Sequence, residues 1–350
     1  MHNILLKTFL TAFFTTMVSY AQHQTATIDS LLSSNYPDNA PGAVFLVAKD
    51  GNVIYKKAFG LSNLELRTKM TTKQVFEIGS LTKQFTAAMV LLLEERHLLK
   101  TTDPIAKYIN NYPNGHQITI HELLTHTSGI KDYTSIPGIN AMATLEKDPL
   151  EIINFFKNEP LKANPGQAFE YANSNYFLLG YIIEKVTGKS YKDVIEENIF
   201  HRLHMTHSYY DSHTKVIANR AYGYQKKRDQ YVNARYISFS IPFAAGSLMT
   251  TVNDMLLWEE ALKNNTLLST KSKAKMFTNY VLTNGKPIHY GYGWHIDTYK
   301  NHTVLSHGGA IFGFKAMEVF LPEKKVYVIG LTNCDCNSPT QITRQIAELF

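Results

Sequence analysis

Strand-type patterning marks both ends of this chain, and helical patterning fills its middle. Near the start, Val44-Phe45-Leu46-Val47-Ala48 and Val53-Ile54-Tyr55-Lys56 flank Lys49-Asp50-Gly51-Asn52. Asp-Gly between two apolar runs is a strong short-range hairpin signal. Near the end, residues 317–321 and 326–331 flank Pro322-Glu323-Lys324-Lys325, again strand, turn and strand. Between the two regions, Phe85, Ala88, Met89, Leu92 and Leu93 recur at helical spacing before the charged Glu94-Glu95-Arg96. A second stripe runs through Tyr176, Leu179, Ile182, Ile183 and Val186 and stops at Gly188. Further helices are expected at residues 252–263 and 342–350. Strands must bury a face, so strands from the two termini are expected to meet. The predicted fold is α/β (α+β): a central antiparallel sheet from both chain ends, flanked by helices, with an inserted mostly helical lobe. The sheet lobe is expected over residues 28–75 and 240–350, the helical lobe over 80–235.

Chemistry concentrates in three short segments. Ser80-Leu81-Thr82-Lys83 opens the first helical stripe. A serine there sits in the positive end of the helix dipole, and a lysine three residues on lies on the same face. A serine hydroxyl is a weak nucleophile until an adjacent base takes its proton, so S-x-x-K is a mechanism as well as a pattern. Tyr171-Ala172-Asn173 follows a Pro-Gly loop and alternates around a small residue, so Tyr171 and Asn173 can face one cavity. A phenol beside an ammonium has its ionised form favoured and can act as a general base. The Asn173 amide can hold a lysine and a substrate amide together. In Ser306-His307-Gly308-Gly309-Ala310 the two glycines allow close backbone approach to a ligand.

In this order, the three segments resemble the serine β-lactamase and penicillin-binding-protein-like family, most nearly class C β-lactamases and their D-peptidase and esterase relatives. The resemblance spans roughly Ser30 to Phe350. Phe76 to Ala87 is similar to the family's nucleophile segment, and Ile118 to Ile130 and Ala244 to Thr251 to two flanking segments. It implies an acyl-enzyme on Ser80 and a coupled acid–base pair of Lys83 and Tyr171, with Asn173 positioning the lysine and the substrate. It also implies an oxyanion hole from the backbone N–H groups of Ser80 and Ala310, and no cofactor. One departure stands out: His307-Gly308-Gly309 replaces Lys-Thr-Gly, whose lysine helps bind the carboxylate of a β-lactam or a D-Ala-D-Ala terminus. Histidine is mostly neutral at pH 7 without a supporting carboxylate. Weak β-lactam hydrolysis is therefore expected, with His307 contacting the leaving-group side of the substrate.

Peptidase, esterase and silent binding protein of the same fold stay open as readings. The substrate is expected to be a small molecule or peptide, with cell-wall-derived peptides among the candidates. The +6 net charge is spread thinly, and Lys226-Lys227-Arg228 is followed by Asp229, so no nucleic-acid partner is expected. Lys7, the apolar residues 8–20 and Ser19-Tyr20-Ala21 read as an export signal cut after Ala21. The mature residues 22–350 are then expected in the periplasm or outside the cell, without a stable membrane span; an uncleaved anchor is the alternative. His121 and His126 are five apart, one more than the zincin spacing, so their rings should diverge and no metal is implied. Cys334 and Cys336 would close a tight ring and are expected to stay unbridged near the end of the last strand.

Overall fold

The computed structural model describes residues 24–210 and 214–350. The candidate export signal lies outside the described residues. Among them, no helix is long and apolar enough to cross a membrane.

Strands β1 (Ala43–Lys49), β2 (Asn52–Phe59), β3 (His295–Tyr299), β4 (His302–Ile311), β5 (Phe314–Leu321) and β6 (Val326–Thr332) form one antiparallel sheet. Their spatial order is β3-β4-β5-β6-β1-β2. The two chain ends meet where β1 pairs β6, from Ala43 opposite Thr332 to Lys49 opposite Val326. The β1–β2 turn places Asp50 at φ 51° and Gly51 at φ 80°. Both central residues are left-handed, the geometry that matches strand twist and selects Asp-Gly.

Strands β1 and β6 are almost wholly apolar because both sheet faces are covered. Alternate residues of β1 serve two cores. Phe45 and Val47 pack with Ile28, Leu32, Ile342 and Ile346, from helix α1 (24–35) and helix α5 (Thr340–Ala347). Val44 and Leu46 belong to the larger core on the other face, which contains α2 (Thr82–Glu95), α3 (Asn173–Thr187) and α4 (Val252–Lys263). The helices fall where the periodicity places them, and α3 ends at Gly188. The α2 stripe is wider than expected, since every residue from Thr82 to Leu93 is buried. A helix buried on all sides lies between packing layers rather than on a surface. Here α3 and α4 close over it.

A polar column ties α2 to the sheet. Trp258 of α4 stacks on Phe85 with ring centroids 4.2 Å apart and donates from Nε1 to Gln84 Oε1 at 2.9 Å. Gln84 Nε2 donates to the buried carboxyl of Glu318 on β5, which also accepts from Tyr327 Oη at 2.8 Å. Burial pushes the Glu318 carboxyl up to about 7.

One expectation is corrected. Cys334 and Cys336 form a disulfide, their Cα atoms 5.1 Å apart after β6. The turn brings the Cα atoms within the span of ordinary disulfides, which spacing alone does not reveal. Trp258→Ala should cost about 3–5 kcal/mol, because it opens a large cavity and leaves the Gln84 amide oxygen without its donor. Denaturant unfolding checks this; a loss below about 1 kcal/mol would mean that the column does not join the layers.

Candidate active site

Ser80 lies on a single 3-10 turn, Gly79–Leu81, that runs directly into α2. This turn is pressed against β4. A Cβ on Gly309 would sit 2.0 Å from the Ile78 carbonyl oxygen, and one on Gly79 would sit 2.7 Å from the Ala310 nitrogen. Backbone meets backbone here, which requires glycine on both sides. The Ala310 amide is thereby held beside the nucleophile turn.

Lys83 is fully buried, and its Nζ has three acceptors. It donates to Ser80 Oγ at 2.9 Å, Asn173 Oδ1 at 2.8 Å and the Ala245 carbonyl at 2.9 Å. An ammonium uses all three bonds. A neutral amine can keep the bonds to Asn173 and Ala245 and accept the Ser80 hydroxyl hydrogen instead. Burial pulls the Lys83 amine down to about 7, while the negative charge of Asp132 pulls it the other way. The two protonation states are therefore close in energy at neutral pH.

Asp132 is the residue that sequence reasoning missed. It accepts from the Asn173 backbone N–H at 3.1 Å and from Asn173 Nδ2 at 3.3 Å. With its nitrogen occupied there, the Asn173 amide presents its oxygen to Lys83. Asp132 also caps the turn Tyr133–Ser135 through Thr134, at 3.3 Å to the nitrogen and 2.6 Å to the hydroxyl. A lone carboxylate with no partner at fixed spacing carries no motif signal. Ala245 likewise carries no signal of its own, because it acts through its carbonyl, at the end of the turn Phe243–Ala245.

Tyr171 is half-buried, with its ring 4.9 Å from Lys83 Nζ. Burial raises its phenol well above the usual range, against a hydrogen bond with Ser80 that lowers it. This reverses the expected sense: the lysine meets the ring face, and desolvation together with the Asp132 charge favours the protonated phenol. His126 packs on the Tyr171 ring at 4.3 Å, whereas His121 bonds Tyr292 Oη at 2.8 Å.

His307 is 2% exposed. Its Nδ1 lies 2.7 Å from the Gly308 carbonyl and must donate, which leaves Nε2 to accept from Tyr290 Oη at 3.1 Å. That tautomer is neutral and fully bonded. Burial and the charges of His295 and Lys83 hold its pKa well below the usual imidazole value. His307 does not line the cavity in front of Ser80. That cavity holds about 350 Å³ and is lined by Ser80, Asn173 and Ala310 together with residues between Tyr133 and Ala143 and between Arg235 and Gly246. Gly308, unlike Gly309, has room to spare: a Cβ there would come no nearer than 3.7 Å to any neighbour.

The Beta-lactamase family profile matches residues 32–349, and the chain belongs to that family. A penicillin-binding protein of Bacillus subtilis (strain 168) is 29% identical over 309 residues, covering 82% of this chain and 67% of the relative. The octameric penicillin-binding protein homologue from Pyrococcus abyssi superposes with TM-score 0.80 at 30% identity, over 94% of this chain and 77% of that one. The D-amino acid amidase from Ochrobactrum anthropi SV3 gives TM-score 0.80 at 23% identity, over 93% and 97%, a likeness of fold alone.

The Lys83 amine sets a pH signature. A base must be deprotonated to act, so kcat/KM should rise with pH through about 7. Asp132→Asn removes the charge that raises Lys83, so this limb should move to lower pH, with a reduced plateau as Asn173 loses its anchor. Ester hydrolysis followed across pH checks both. A limb that stays in place in Asp132→Asn would dissociate it from Lys83.

Proposed function

We propose that this chain is an exported serine hydrolase that forms an acyl-enzyme on Ser80 and acts on amides or esters of D-amino-acid-containing peptides. The observation that carries the reading is the 2.9 Å contact between Ser80 Oγ and a buried Lys83 amine poised at about 7. Neutral Lys83 takes the Ser80 proton as Oγ attacks the carbonyl carbon. The protonated lysine then has three hydrogens again, one of them directed at Oγ. The N–H groups of Ser80 and Ala310 receive the developing oxyanion, each worth a few kcal/mol in sites of this kind, about 3. Protonated Tyr171 hands its proton to the leaving group and recovers it from Lys83, so the pair acts as one coupled unit. Deacylation by water runs the same transfers in reverse.

The D-amino-acid preference draws support from the penicillin-binding-protein relative and from the fold shared with a D-amino acid amidase. A neutral, buried His307 supports substrates without a carboxylate beside the scissile bond. Export is supported by the Cys334–Cys336 disulfide, since such bonds persist in oxidising compartments.

A fluorophosphonate should label Ser80, seen by intact mass and peptide mapping. A D-alanyl p-nitroanilide and a neutral p-nitrophenyl ester should be cleaved by wild type and not by Ser80→Ala. A cephalosporin should be at least about tenfold slower than the ester, the worth of one missing charge-assisted bond. An adduct elsewhere, or turnover that survives Ser80→Ala, would remove Ser80 from this role.

A further inference from the structure

We propose that the substrate of this site carries a carboxylate at the end of an apolar body, and that Arg235 binds it. The inference rests on the reading of Ser80 as the nucleophile. Arg235 lines the same cavity as Ser80 and is the one charged residue among its lining. The rest of the wall is mostly apolar, with Ile139, Ile237, Ile241 and Phe312. A cavity of about 350 Å³ with such walls accommodates an aliphatic or aromatic group. A single cation in it selects what that group ends in.

Arg235 is exposed at the mouth of the cavity, and its guanidinium rests against a ring. It lies 4.3 Å from the Phe312 ring centroid. Phe312 follows β4, the strand that carries Ala310. Stacking on a ring face leaves the in-plane N–H donors of a guanidinium available. Among the described residues, no carboxylate lies within ion-pair distance of Arg235. Its backbone N–H donates to Gln225 Oε1 at 3.4 Å, tying the segment to the hairpin Tyr224–Lys227 and Gln230–Asn233. A planar fork of donors at the mouth of an apolar cavity matches a carboxylate held by two parallel bonds.

The placement also separates two kinds of anion. A carboxylate beside the scissile bond would call on the strand position of His307, which is neutral, buried and outside the cavity. A carboxylate at the far end of the group filling the cavity meets Arg235 instead. The site is thus built for anions at a distance from the reacting carbonyl.

The test uses a matched pair of p-nitrophenyl esters of one medium-length aliphatic diacid, one with a free terminal carboxylate and one with that carboxylate methylated. The readout is the ratio of their kcat/KM values in the full mature chain. Wild type should favour the free carboxylate by about three- to tenfold at low salt, mostly through KM. The ratio should approach one in Arg235→Gln and invert in Arg235→Glu. Added salt should erode it, because the pair is near the surface. Lys226→Gln, on the same hairpin and outside the cavity, should leave the ratio unchanged. A wild-type ratio near one, or a ratio that Arg235→Gln does not alter, overturns the proposal while turnover of the methylated ester keeps Ser80 as nucleophile. No turnover of either ester, together with no fluorophosphonate label on Ser80, brings both readings down.

Discussion

Stripping water from one amine without stripping its bonds is the constraint on which this molecule depends. Lys83 lies inside a helix buried on every side, where an ammonium is costly. Three oxygens from three separate elements offset that cost: the nucleophile itself, the α3 amide and the Ala245 carbonyl. The compensation is incomplete, and the incomplete part is useful. A fully compensated lysine would stay charged and could accept nothing from Ser80. Asp132 sets how far the balance tips, from behind Asn173.

The layers exist to hold that balance. The nucleophile turn is fixed from the front by β4 and from the back by the column of Trp258, Gln84 and Glu318. Gln84 is the residue after Lys83, so the column anchors the helical turn that carries the base. Burial presses in opposite directions on the two members of the acid–base pair. It pulls the Lys83 amine down to about 7 and holds the Tyr171 phenol above its usual range, so the two can exchange a proton as one coupled unit.

Much of this was legible in the sequence, for reasons of spacing. Ser80 and Lys83 fall within one helical turn, and Tyr171 and Asn173 alternate about Ala172, so local geometry alone orients each pair. The sheet was legible because strand periodicity and an Asp-Gly turn stand at the chain's ends. What escaped depends on contacts between distant segments. Asp132 is one carboxylate in a loop until the fold sets it behind Asn173. Ala245 contributes a carbonyl, which every residue has. The direction of the Tyr171 shift follows from how distant segments desolvate its phenol, and the Cys334–Cys336 bond from a turn that no residue type announces.

The close contact between Gly309 and the Ile78 carbonyl has a consequence for how a protein like this can change over generations. The parts that perform bond-making are locked by main chain, with no room for even a methyl group. Much of the cavity wall comes from two connecting segments, 133–143 and 235–246, that lie outside the central sheet. Mutation can therefore redraw what is recognised while the reaction stays intact. A duplicated copy could drift toward a new compound by altering positions such as 139, 235 or 237, and its chemistry would be inherited whole.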